Sequence, residues 1–468
     1  MTQSPLFRIF ICVVVGIVLW YYPISAEIPR DGQEIFAMFI AVIVSFLLRP
    51  LPMAPMVLLG LISLIITGTI SLDQALVGFG NSTVWLVVAA FLISGAVLNS
   101  GFGHRIALFL ISKLGKNIFG IAYGLCGSEL LLGPVVPSNT ARGAGIHAPI
   151  AQSLSEALGS FPDKAPDRAG AYISLVGGQA NLVTAGMFLT GMAANPLLSE
   201  AAGEILKINF DWITWATGTI VPGLISLAGL PLFIYQFSKP DLRDTREVQK
   251  QVKKQYKALG KWKTSEKWMC GIFIFLIALW TTSKLHGMGT SLVAWIGVCT
   301  LFLSGTYSWD KMIRTSGAWD ALIWLGGLLT MANLLKDYGF VEWFATSVSA
   351  AMPPVDPLLL MVLLALIYFY SMYLFSMLTG HIAAFIGGFF AIAMAYSIPP
   401  LTMAALFAGF STLCGCLTNY SSGPEIMYYG QGYVPLLRWF KVGFLLSIYH
   451  ITIWLTFGLA WWKFLGWW

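Results

Sequence analysis

The polar residues that could do chemistry in this chain stand inside long apolar stretches. Ser138-Asn139-Thr140 follows Pro137, with Arg142 two residues on. Thr379-Gly380-His381 interrupts a second stretch, Asn181 and Thr184 lie in a third, and Asn419, Ser422 and Gly423 in a fourth, beside the ionisable Glu425. None has the spacing of a nucleophile with its base. The chain has no His-Glu-x-x-His, no paired Asp in its apolar stretches, and no Gly-x-Ser-x-Gly with a partner base. Cys414-x-Cys416 is not a metal spacing, and no His cluster accompanies it, so neither metal nor cofactor is expected. What these groups can do is donate hydrogen bonds. Hydroxyls, amides, one guanidinium and the unpaired N–H groups of interrupted helices together make a site for an anion.

Each residue also has a plainer reading. Ser, Asn and Thr are good helix caps, so Ser138-Asn139-Thr140 could both cap and bind. A charge at membrane depth costs roughly 3 kcal/mol on insertion scales. Arg142 therefore either coordinates an anion, the reading ranked first, or pairs with Glu129 one hairpin arm away. His381 beside a polar turn is ranked as a ligand, whereas His104, His147, His286 and His450 read as packed. Asn181, Thr184, Asn419 and Ser422 either join helices or line the site. Glu425 either carries a proton or caps a half-helix, and both stay open.

The elements that position these residues follow from composition. Of 468 residues, 57% are hydrophobic and 10% charged, with mean hydropathy +0.77. That excludes a soluble enzyme, a nucleic-acid binder and a disordered chain. Long apolar runs, without alternating ten-residue strands, predict an all-α polytopic membrane protein. Eleven spans are read at 6–24, 33–48, 52–71, 82–100, 169–195, 210–235, 269–285, 290–306, 319–337, 402–430 and 440–462. The first has a faint look of a secretory signal, but Ile24 fits a cleavage site poorly, and it is read as a span. Regions 118–155 and 356–398 are too long for one span and carry polar breaks, so each is read as a re-entrant helical hairpin. The six cysteines read mostly as packing thiols, and Trp461, Trp462, Trp467 and Trp468 as an interfacial belt.

Charge orients the spans. Residues 239–267 hold ten Lys/Arg and four Asp/Glu, a net +6, which marks a cytoplasmic loop rather than a nucleic-acid patch. Threading from it puts 21 of the 27 Lys/Arg inside, leaves Arg30, Lys207, Lys284, Lys336 and Lys463 outside, and Arg142 within the first hairpin. The N-terminus is inside and the C-terminus outside, so the two hairpins enter from opposite sides. An offset of 238 sets Gly101-Phe102 on Gly339-Phe340 and Asn181 to Gly186 on Asn419 to Pro424, pointing to an inverted repeat. The expected organisation is N-terminal scaffold spans over 1–81, a first repeat over 82–235, a basic loop over 236–268, connecting spans over 269–306 and a second repeat over 307–468.

Ser138-Asn139-Thr140, followed by Ala141-Arg142-Gly143-Ala144-Gly145, resembles the Ser-Asn-Thr signature of the divalent anion/sodium symporter family. The run Gly178 to Thr190 and the segment Tyr429-Gly430-Gln431-Gly432-Tyr433 are similar to its exchanger branch of bacterial citrate/succinate and tartrate/succinate antiporters and plastid 2-oxoglutarate/malate translocators. The resemblance implies a homodimer in a bacterial cytoplasmic membrane, in contact with lipid. Each protomer would have a scaffold and a transport domain moving as an elevator, with substrate between hairpin tips and unwound helices. Where sodium-coupled members repeat Ser-Asn-Thr at the second tip, this chain reads Gly380-His381-Ile382. Fixed cations at Arg142 and His381 would offset a dianion and would be costly to move unpaired. The expectation is therefore exchange of di- or tricarboxylates (succinate, malate, fumarate, 2-oxoglutarate, citrate or tartrate) for a counter-substrate. A sodium- or proton-coupled symporter, with Glu425 as the proton candidate, is the alternative. An intramembrane enzyme and a transport-dead receptor are the more distant rivals.

Overall fold

The computed structural model describes residues 4–351 and 355–468, and among them the chain is helical, with one isolated bridge between Asn117 and Asp244 in place of any sheet. Each of the eleven expected spans has its helix. The N-terminal three are Pro5–Tyr21, Arg30–Leu48 and Met53–Ile66. Among the described residues, eight helices are long and apolar enough to cross a membrane, including Ser82–Ser100, Trp212–Phe237 and Ser316–Asp337. Their apolar residues do not form one narrow stripe, because one side meets other helices and the other meets lipid. Leu6, Leu285, Leu303 and Leu437 are each at least 78% exposed, as side chains facing hydrocarbon are.

Both re-entrant hairpins are present. The first runs up Ile118–Leu132, turns through 133–138, and returns through Asn139–Arg142, a π-helical turn at Gly143–His147, and Ala148–Ala157. The second runs up Pro357–Ser371, turns through 372–377 and returns along Leu378–Ala395. Its turn is thus earlier than the sequence places it. Thr379-Gly380-His381 forms the first helical turn of the return arm, where the His381 N–H donates to Met377 O at 3.2 Å.

Among the helices that escape the hydropathy reading, two are related by the repeat. Phe102–Leu114 and Phe340–Ala351 each follow a glycine in the left-handed region, Gly101 at φ 78° and Gly339 at φ 75°. Each links a full span to a hairpin, and the offset of 238 superposes them. Glycine suits this position because the chain passes through the left-handed region in the single residue between two helices.

The same offset fails further on. Gly170–Met187 is a continuous helix containing Asn181, and its break lies at 188–194 before Asn195–Glu204. The matching break in the second repeat is at 418–422, between the turn Cys414–Leu417 and the helix Gly423–Gly430. Asn181 is therefore not the repeat mate of Asn419. A shorter return arm and connection in the second half change the register.

Long-range ion pairs agree with the threading. Arg105 with Glu266 and Arg438 with Asp167 join residues placed inside, and Lys336 with Glu204 joins residues placed outside. At the C-terminus Trp462 is fully buried, and its indole N–H donates to Gly218 O at 2.8 Å. Trp461 donates to Thr217 O at 2.7 Å. These two clamp the span Trp212–Phe237 rather than forming a belt. Cys299 is exposed; Cys12, Cys126, Cys414 and Cys416 are buried thiols.

Candidate functional site

The first hairpin turn, the second hairpin turn and the second helix break meet at one locus. Thr140 of the first turn lies against Gly423: a methyl group at Gly423 would come within 2.5 Å of Thr140 Cγ2 and 2.6 Å of its Oγ1. Gly143 lies equally close to Pro424 and to the Asn181 amide, both at 2.8 Å from a methyl placed there. Asn181 Nδ2 donates to Asn139 O at 3.2 Å. From the other side, the Leu378 N–H donates to Ser421 O at 2.9 Å.

Ser138, Asn139, Thr140, Asn181, Ser422 and Gly423 are thus neighbours through three separate elements. Asn419 stands half-buried in the break itself. Thr140 is exposed, while Ser138, Asn139 and Ser422 are each about nine-tenths buried. The locus is rich in donors. Ser138 Oγ caps the Ala141 N–H at 3.1 Å, and Ser422 Oγ caps the Glu425 N–H at 3.4 Å, so two helix N-termini open here. Asn139 Nδ2 has no partner among the described residues. An amide donor left free beside two helix N-termini suits an incoming acceptor.

Arg142 takes the reading ranked second. Its Nε donates to Glu129 Oε2 at 2.5 Å, and both side chains are buried. Nη1 donates to Val136 O at 2.6 Å and Gly191 O at 3.2 Å, and Nη2 to Thr184 Oγ1 at 3.4 Å. One guanidinium thereby fixes the hairpin turn, the first helix break and the hairpin's ascending arm. Glu129 is the residue that sequence reasoning underrated. It also accepts from Asn181 Nδ2 at 3.1 Å and Thr184 Oγ1 at 3.3 Å, and His147 Nδ1 lies 2.9 Å from Oε1. A charge at membrane depth is matched here by an opposite charge and a full set of hydrogen bonds. The signal was in the sequence: a lone acid 13 residues before a lone arginine, across a turn.

His381 lies beside the locus with its ring turned from it. Nε2 meets Ser371 Oγ at 2.8 Å, and the ring packs on Tyr368, Phe375 and Phe385, centroids 4.3, 5.0 and 5.5 Å away. Gly380 packs toward Phe46 of the span Arg30–Leu48, and Thr379 is half-buried. The expected countercharges are therefore not free: Arg142 is matched by Glu129, and His381 sits among aromatic rings.

The first break is held by side chains that satisfy its freed carbonyls. Asn195 Nδ2 donates to Ala185 O and Phe188 O at 2.8 and 2.9 Å, Trp215 Nε1 to Gly186 O at 2.9 Å, and Thr219 Oγ1 to Met187 O at 2.7 Å. At the second break, Ser421 Oγ donates to Gly415 O at 2.7 Å. Beyond it Glu425 is fully buried; Oε2 accepts from Gln179 Nε2 at 3.3 Å, and Oε1 has no partner among the described residues.

The profile of the family described as "Sodium:sulfate symporter transmembrane region" matches residues 3–468. The chain is 39% identical over 461 residues to the "Putative malate transporter YflS" of Bacillus subtilis (strain 168), covering 98% of this chain and 96% of that one. It is 30% identical to the "L-tartrate/succinate antiporter" of Escherichia coli O6:K15:H31 (strain 536 / UPEC), over 94% of each. In fold it is similar to the YdaH transporter of Alcanivorax borkumensis, with a TM-score of 0.58 at 12% identity and 99% of each chain covered. Sequence match over nearly the full length, helices, hairpins and breaks together place the chain in the divalent anion/sodium symporter family.

Proposed function

We propose that the protein is a secondary transporter that exchanges di- or tricarboxylates across a bacterial cytoplasmic membrane. The observation that carries this reading is the apposition of Thr140 and Gly423, which brings two capped helix N-termini and the free Asn139 amide to one buried locus. Such a cluster favours carboxylate without holding a permanent free cation. Ser138, Asn139, Thr140, Asn419, Ser422 and Gly423 are the proposed contacts, with Thr379 and Gly380 at the rim. Arg142, Asn181 and Thr184 hold the tip in place through Glu129, and His381 supports the second tip.

The malate and tartrate/succinate relatives supply the substrate class. Exchange is supported by the antiporter relative. The oxygens of Glu129 receive a guanidinium, an amide and a hydroxyl, which commits this acid to holding the hairpin. The matched Arg142 means that exchange no longer follows from a free fixed charge. We further propose a homodimer whose hairpins, broken helices and the spans behind them move as an elevator against the remaining spans. The test is uptake of labelled succinate into proteoliposomes, with and without internal dicarboxylate and with and without sodium. Uptake should require internal substrate and ignore sodium; strong sodium-driven uptake into empty vesicles would overturn exchange.

A further inference from the structure

Glu425 is a buried acid that the proposed exchange does not use. It lies against the backbone of Gly170–Met187, where a methyl at Gly178 would meet Oε1 at 3.0 Å. Among the described residues no Lys, Arg or His forms an ion pair with it, in contrast to Glu129. Burial with one amide donor and no cation disfavours the charged carboxylate. The partial positive charge that bears on it is that of its own helix, Gly423–Gly430, in whose first turn it sits. That N-terminus is the one Thr140 faces. An anion seated there draws on the same partial charge and repels an ionised Glu425.

We propose that Glu425 is a proton-binding site coupled to the anion site: burial already favours its protonated form, and a dicarboxylate at the shared helix N-terminus strengthens that hold, so binding takes up a proton in the pH range where the empty site is ionised. This rests on the function proposed above and names the ion that accompanies the substrate. Gln179 can serve both forms. Its Nε2 donates to the carboxylate, and its Oε1, which has no partner, can accept the acid's O–H after a half-turn of the amide.

The elements packed against this helix offer no competing cation. Arg142 and His147 are both held by Glu129. Glu156 is exposed and accepts from Gln152 at 2.9 Å. Tyr172 donates to Pro231 O at 3.0 Å, Cys416 to Gly443 O at 3.4 Å, and the Tyr428 hydroxyl lies against Gly177 without a hydrogen bond. The balance is one proton from water bonded to a Glu425 oxygen for each anion bound, released when the anion leaves; no electrons move. In one-for-one exchange each passage carries anion and proton together.

The experiment is calorimetric titration of the purified full-length protein with succinate above about pH 6.5, where carboxylates in water are ionised, in buffers of different ionisation enthalpy. Wild type should take up a proton, and its affinity should fall by up to about tenfold per pH unit. Glu425→Gln should keep the low-pH affinity throughout and take up none, with Glu425→Leu as a second neutral variant should the first not fold. Infrared difference spectra should show a carboxylic-acid C=O band on adding succinate to wild type and none in the variant. Binding by wild type without proton uptake or that band overturns this proposal and leaves the exchange reading standing. No succinate binding by wild type at any pH overturns both.

Discussion

Replacing Arg142 tests whether its guanidinium is a strut or a ligand. Arg142→Ala removes the 2.5 Å contact to Glu129 Oε2 and the donors to Val136 O, Gly191 O and Thr184 Oγ1. The carboxylate left behind is fully buried and keeps only the neutral donors Asn181 and Thr184 and the ring of His147. Removing one partner of a buried pair costs about 3–5 kcal/mol, and here two carbonyls also lose their donor. The loss should therefore lie at the upper end of that range. Neutralising both partners, as in Arg142→Met with Glu129→Gln, removes the stranded charge and should recover most of it. The assay is unfolding in detergent by heat or denaturant for wild type, Arg142→Ala, Arg142→Met, Glu129→Gln and the Arg142→Met/Glu129→Gln pair, with succinate affinity measured on each folded protein. A double-mutant cycle then isolates the coupling. If Arg142→Ala unfolds like wild type and loses only succinate binding, the strut reasoning is wrong and the guanidinium is a ligand.

Two further outcomes are expected. Gly423→Ala should weaken succinate binding, because the added methyl meets Thr140, and Thr140→Ala in the same chain should restore part of the loss; unchanged affinity in the single variant would separate these residues from the site. A single cysteine at position 255 should be labelled only from the cytoplasmic side and one at 468 only from outside, and the reverse pattern would invert the threading.

Much of this architecture is legible because lipid imposes a harsh rule: a span must be apolar for some twenty residues. The span Ser82–Ser100 emerges with its bounds intact. Arm helix Phe102–Leu114 does not, because its sequence mixes Arg105 and Lys113 with apolar residues, and a length-and-hydropathy test rejects it. Polar breaks are legible as breaks, but their register is not. Asn181 and Asn419 share an Asn-x-x-(Thr/Ser) pattern, yet one sits in a continuous helix bonding to Glu129 and the other in unwound chain. Local pattern does not say which carbonyls a neighbouring helix will satisfy. Arg142 is misjudged for a related reason. Its cost at depth is plain from sequence, but whether an ion or a side chain meets it depends on Glu129 folding back across the turn.

Gly101 and Gly339 carry a mechanical consequence. Each is a single left-handed residue between a membrane-crossing rod and the arm that suspends a hairpin. Only a carboxylate oxygen comes near each joint among the described residues, Glu266 Oε1 at 4.0 Å and Glu342 Oε2 at 3.9 Å from a methyl placed on the glycine, and the expected threading sets the two at opposite faces of the membrane. Under the elevator motion proposed above, rotation of the suspended half would be shared between two bearings, one above and one below. Stiffening either glycine with a branched residue would load the other, so the pair should fail in travel before it fails in binding.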